Sequence, residues 1–98
     1  MAKFGRLIES EHPVLFGFYD RSDGTRSTLD SFLDDIMQEL EGRIKIYKIE
    51  AGENPELVKA LKVKEFPSFV VYNKGKMVWR NNKDVNGMTL VEVLEHFL

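Results

Sequence analysis

His12-Pro-Val-Leu-Phe-Gly-Phe-Tyr19, then Asp20-Arg-Ser-Asp-Gly-Thr-Arg26, then a long amphipathic segment closing at Gly42, is the stretch that decides the fold. Val14 to Tyr19 is a continuous apolar run, the pattern of a strand covered on both faces, and Pro13 keeps a preceding helix from running into it. From Thr25 onward Leu29, Phe32, Leu33, Ile36, Met37 and Leu40 recur at helical spacing, which gives one apolar stripe along a helix of about four turns or more. Thr25 or Asp23 is placed to cap its first N–H groups, Asp30 suits its positive end, and Gly42 supplies the left-handed residue that ends it. A buried strand feeding a tight turn that opens a helix aims backbone N–H groups at whatever lies beside the turn. In a parallel sheet such a turn sits at the carboxyl edge, where ligands bind. The turn is therefore the candidate site, yet Ser22, Asp23, Gly24, Thr25 and Arg26 include no cysteine, histidine or metal-ligand cluster. A site geometry is more legible here than an activity.

Working outward, Phe4, Leu7 and Ile8 mark a short first helix over Phe4 to Glu11. Beyond Gly42, Ile44, Ile46, Tyr47 and Ile49 among lysines mark a strand over Arg43 to Glu50. Pro55 suits a helical first turn, and Leu57, Val58 and Leu61 give a short helix ending near Lys62. Phe69 to Tyr72 and Met77 to Trp79, joined by Asn73-Lys-Gly75, read as a hairpin in which Tyr72 and Trp79 serve sheet packing. Asn81 to Gly87 is polar loop, and Thr89 caps a last helix carrying Leu90, Val93, Leu94 and Phe97. The order α-β-α-β-α-β-β-α, without repeat or linker, predicts one α/β domain over residues 1–98: a mixed four-stranded sheet with helices on both faces.

Composition bounds the function. Ninety-eight residues, 43% hydrophobic and 11% aromatic, suffice for one modest core. The net charge of -2, from 14 basic and 16 acidic residues interleaved along the chain, lacks the basic stripe a nucleic acid requires. No apolar run approaches the roughly 20 residues of a membrane span, and the expected location is cytoplasmic. The absence of cysteine excludes disulfides, thiolate nucleophiles and Cys-ligated metal. His12 and His96 are read as surface residues, and no metal or cofactor is expected.

From Phe18 to Leu98 the chain resembles the thioredoxin family without a gap. Phe18-Tyr19 falls where the family has Phe-Trp, and Asp23-Gly24-Thr25-Arg26 falls on its Cys-Gly-Pro-Cys motif. Lys48 falls on the family lysine, Glu53-Asn54-Pro55 on its Glu-Asn-Pro turn, and Phe66-Pro67-Ser68-Phe69 on Ile-Pro-Thr-Leu, whose proline is cis. The resemblance implies a thioredoxin-like fold with the first strand short or missing, because Met1-Ala-Lys3 is too short to supply it. The strand over Arg43 to Glu50, which that first strand covers in the family, should then be an open edge.

The departures from the pattern fall on its chemistry. Both motif cysteines are replaced, by Asp23 and Arg26, so disulfide exchange is not expected. The family's buried acid would lie at Gly17 and is missing, which leaves Lys48 to reach another carboxylate or water. The small-residue loop flanking the family's groove falls on Asn82-Lys83-Asp84, bulky and charged. Asp23 and Arg26 read either as a poised acid and cation or, more commonly, as two solvated charges. The leading expectation is a redox-inactive binding module whose groove, made by Ser22, Asp23, Gly24, Thr25, Arg26, Phe66, Pro67, Ser68, Lys83 and Asp84, holds an extended peptide of a protein partner. A structural role through the open sheet edge is the alternative. An enzyme in which Ser22 or Thr25 activates the thiol of bound glutathione, as hydroxyls do in some relatives of the fold, is a distant third. A monomer is expected, with edge-to-edge dimerisation as the alternative.

Overall fold

The computed structural model describes residues 2–40, 42–81 and 87–98. Its elements are α1 (Ala2–Ile8), β1 (Val14–Tyr19), a 3-10 turn (Arg21–Asp23), α2 (Thr25–Glu39), β2 (Lys45–Glu50), α3 (Pro55–Ala60), β3 (Ser68–Asn73), β4 (Lys76–Asn81) and α4 (Gly87–His96). The sheet order is β2-β1-β3-β4, with β2 parallel to β1 and the other two pairings antiparallel. The mixed four-stranded sheet and the open edge at β2 agree with the sequence reading. No strand precedes β1 among the described residues, and α1 occupies that part of the chain.

Strand alternation divides the core into two layers. Leu15 and Tyr19 of β1 and Phe69 and Val71 of β3 pack under α2 and α4, against Leu29, Leu33, Ile36, Leu90 and Leu94. Val14, Phe16 and Phe18, with Val70 and Tyr72, face α1 and α3. Every residue of β1 is buried, as a strand covered on both faces requires. The seven residues of α1 cannot hold a helix by themselves and are anchored by the ring of Phe4, whose centroid lies 4.8 Å from Phe16 and 5.3 Å from Tyr72.

Several boundaries differ from the sequence reading. The first helix stops at Ile8 rather than Glu11, because Ser10 Oγ accepts a hydrogen bond from His12 N–H at 3.1 Å and turns the chain ahead of Pro13. The third helix ends at Ala60, and Lys62, at φ 55, makes the left-handed turn out of it. The last helix begins at Gly87, so Thr89 lies within it instead of capping it. The hairpin strands run longer than their apolar cores, through a two-residue loop in which Lys74 and Gly75 both have positive φ. That conformation matches the right-handed twist of the flanking strands.

Candidate functional site

β1 delivers the chain to the turn, and Asp20 organises it. Asp20 Oδ1 accepts hydrogen bonds from Ser22 N–H at 2.9 Å and from Ser22 Oγ at 2.7 Å, which caps the 3-10 turn. The hydroxyl of Ser22 first, and its N–H second, hold the Asp20 carboxyl below the ordinary value of 3.8. Thr25 Oγ1 accepts from Asp20 N–H at 2.8 Å and donates to Asp20 O at 3.3 Å. This corrects the capping expected of Thr25, while the side chain of Asp23 lies outside the described structure. The N-cap of α2 is Gly24, at φ 75, with no side-chain cap, because the Thr25 hydroxyl is turned back onto Asp20. Both hydroxyls are engaged with Asp20.

Arg26, where the family motif has its second cysteine, lays its guanidinium 5.6 Å from the centroid of the Tyr19 ring and reaches Asp30 Oδ2 at 3.9 Å. The other oxygen of Asp30 receives Lys48 Nζ at 2.6 Å. Asp30 is the sixth residue of α2, beyond its first turn, so it serves as a carboxylate partner and not as a dipole charge. Lys48 thus reaches a carboxylate, as expected for a lysine without its family acid, and that carboxylate comes from α2. With Asp30 38% and Lys48 39% exposed, the pair contributes on the order of 1 kcal/mol or less. Across the turn, Arg21 donates to Glu53 Oε1 at 3.0 Å. Glu53 chiefly, and the Tyr19 hydroxyl after it, strengthen the hold of Arg21 on its proton.

Beneath the turn the place of the family's buried acid is closed. A Cβ on Gly17 would meet Leu29 Cδ1 at 2.6 Å, and Leu29 is fully buried. Leucine packing therefore fills the space a carboxyl at position 17 would need; the buried carboxylate nearest the turn is Glu50, at the end of β2 opposite Tyr19, where it accepts from Glu53 N–H at 3.0 Å. The glycine in an otherwise large-residue strand, paired with a leucine on the first turns of the helix, is the signal that could have revealed this.

The other wall follows from register. β3 pairs with β1 so that Ser68 stands opposite Phe18, which puts Phe66 and Pro67 beside Tyr19 and the turn. The Phe66–Pro67 bond is cis. Pro67 and Ser68 are buried, Phe66 is half-buried, and Ser68 Oγ donates to Glu65 O. No hydrogen bond among the described residues engages the main chain of Phe66. A cleft of about 350 Å³, lined by Lys62, Lys64, Glu65, Ser68, Arg80 and Asn81, opens from this end of the sheet. The structure thus brings Ser22, Gly24, Thr25 and Arg26 to one side and Phe66, Pro67 and Ser68 to the other. Asp23 enters through its backbone in the 3-10 turn. Lys83 and Asp84, with the rest of the expected flanking loop, lie outside the described residues. No cluster of metal-ligating side chains is present among the described residues, and no helix among them is long and apolar enough to cross a membrane.

A helix launched from a tight turn beside a cis proline, over a mixed sheet, defines a thioredoxin-fold domain, here one whose turn carries no thiol. The thioredoxin family model matches residues 1–98, and the chain belongs to that family. It is 28% identical over 92 residues to a thioredoxin of Synechocystis sp., covering 94% of this chain and 86% of that protein. It is 29% identical over 70 residues to a thioredoxin of Rickettsia felis, covering 71% and 67%. Among solved structures, mitochondrial thioredoxin 3 from Saccharomyces cerevisiae superposes with a TM-score of 0.84 at 20% identity, covering 97% of this chain and 88% of that one. A mutant thioredoxin from Halobacterium salinarum gives 0.85 at 20% identity, covering 99% and 84%. Relatives bearing the thioredoxin name share the scaffold, and the absence of cysteine separates this chain from thiol exchange.

Proposed function

We propose that this chain is a protein-binding member of the thioredoxin family that works without disulfide exchange. In this reading the groove between Ser22–Arg26 and Phe66–Ser68 holds an extended segment of a partner protein. The observation that supports it most directly is the main chain of Phe66, which no hydrogen bond among the described residues engages and which offers a donor and an acceptor to an incoming strand. The charge beside it acts as a selector: Arg26 flanks one wall. An interface this small and polar implies affinity in the micromolar range or weaker, falling as salt rises. Amide shifts followed during titration with a library of extended peptides test the reading. The expected changes fall at residues 22–26, 66–68 and 83–86; shifts that avoid all of these for every peptide would refute it.

A further inference from the structure

β2 is an outer strand, paired with β1 on one side and with no strand on the other among the described residues. Lys45 N–H bonds to Pro13 O at 3.0 Å and Ala51 N–H to Tyr19 O at 2.8 Å, so odd-numbered residues turn their main-chain groups toward β1. The N–H and C=O of Ile46 and Lys48 therefore turn outward. Both faces beside this edge are concave. On the α2 face a cleft of about 510 Å³ is lined by Met37, Leu40, Ile44 and Ile46, and Met37 is 52% exposed. On the α1 face a cleft of about 570 Å³ runs past Phe4, Leu7, Tyr47 and Ile49, with Lys3 on its wall.

The two faces differ in charge. Strand alternation puts Lys45 on the face of Tyr47 and Ile49. Neither Lys45 nor Lys3 has an ion-pair partner among the described residues, whereas Lys48, on the α2 face, is held by Asp30. Glu53, already paired with Arg21, and Glu56 line the α1-side cleft beside α3, which leaves the Lys45 end as the place for an added acid. An incoming strand thus meets apolar surface on the α2 face and, on the α1 face, apolar surface edged by the unpartnered cations Lys45 and Lys3. Its side chains alternate between those faces with period two.

We propose that the outer edge of β2 docks an extended segment of a partner protein in which acidic residues alternate with apolar ones. The acids meet Lys45 and Lys3, the apolar residues enter the cleft beside Met37, and the main chain pairs with Ile46 and Lys48. A second copy of this chain is the poorer occupant, because the residues its β2 presents on that face, Lys45, Tyr47 and Ile49, include no acid to meet Lys45 and Lys3. The test follows deuterium exchange and amide shifts of Ile46 and Lys48 during titration with a capped peptide of alternating valine and glutamate, about eight residues long. A valine–lysine counterpart is titrated separately. The glutamate peptide is expected to slow exchange at both amides about tenfold, the lysine peptide to leave them unchanged, and Lys45→Glu to invert the preference. Equal responses to the two peptides overturn the proposal, as does unchanged exchange at both amides with millimolar glutamate peptide. Protection of these amides without peptide, in a dimer that persists on dilution, assigns the edge to a second copy and also overturns it.

Discussion

Gly17 and Leu29 carry the account at the level of single residues. The methyl of an alanine at 17 would sit 2.6 Å from Leu29 Cδ1, and Leu29 is sealed in the core, so it yields only by repacking its neighbours. Gly17→Ala is expected to cost about 1–3 kcal/mol, and Leu29→Ala about 2–5 kcal/mol through the cavity it leaves. The double variant should cost less than the sum, because each change relieves the other. Denaturant unfolding of the three variants measures that coupling, and strict additivity would mean that Leu29 does not guard the site. Asp20 gives a second expectation, in pH. Its bonds to Ser22 lower its folded pKa below 3.8, so its contribution to stability is complete above that value and is lost as pH falls through the lower, folded one. Ser22→Ala should move the Asp20 carboxyl titration back up toward 3.8, as read from its carbon shift in an NMR pH series.

The elements were largely legible in the sequence, because period and burial coincide there. The unbroken apolar run Val14–Tyr19, the stripe from Leu29 to Leu40 and the hairpin about Lys74–Gly75 each state their own geometry. What local pattern could not give is competition between partners. Thr25 is a good capping residue by type, yet its hydroxyl bonds to Asp20, which lies across the turn. Asp30 looked like a dipole charge on its own helix, yet Lys48 reaches it from β2 across the parallel pairing of Gly17 with Lys48. Of the expected groove, the turn and the proline segment follow from strand register, while the stretch holding Lys83 and Asp84 has no periodicity to read. One consequence belongs to the turn and α2 together. Asp23→Cys combined with Arg26→Cys should form an intramolecular disulfide that dithiothreitol reduces, since a thiolate at the start of a helix is stabilised. Mass spectrometry before and after alkylation reads it, and two freely alkylated thiols under oxidising conditions would mean that the turn does not bring these positions together.

At the scale of the whole molecule, a shared scaffold and a lost chemistry coexist. The fold agrees with thioredoxins of known structure over nearly the entire chain, while the turn has exchanged thiols for Asp23 and Arg26 and the floor beneath it is leucine where an acid would be needed. Methionine is the only sulfur-bearing residue, and its thioether does not take part in thiolate exchange. Restoring cysteines at 23 and 26 alone therefore supplies the nucleophile without the acid the family carries at position 17, and such a variant should turn over slowly. The measurement that bears most directly on this is the release of free thiol from a disulfide-bonded peptide by the pure wild-type protein with dithiothreitol as the electron donor, set against buffer and against the Asp23→Cys, Arg26→Cys variant. The expected result is a wild-type rate equal to that of buffer, with any acceleration confined to the variant; wild-type turnover above buffer would contradict the reading of this chain as a thioredoxin scaffold without thioredoxin chemistry.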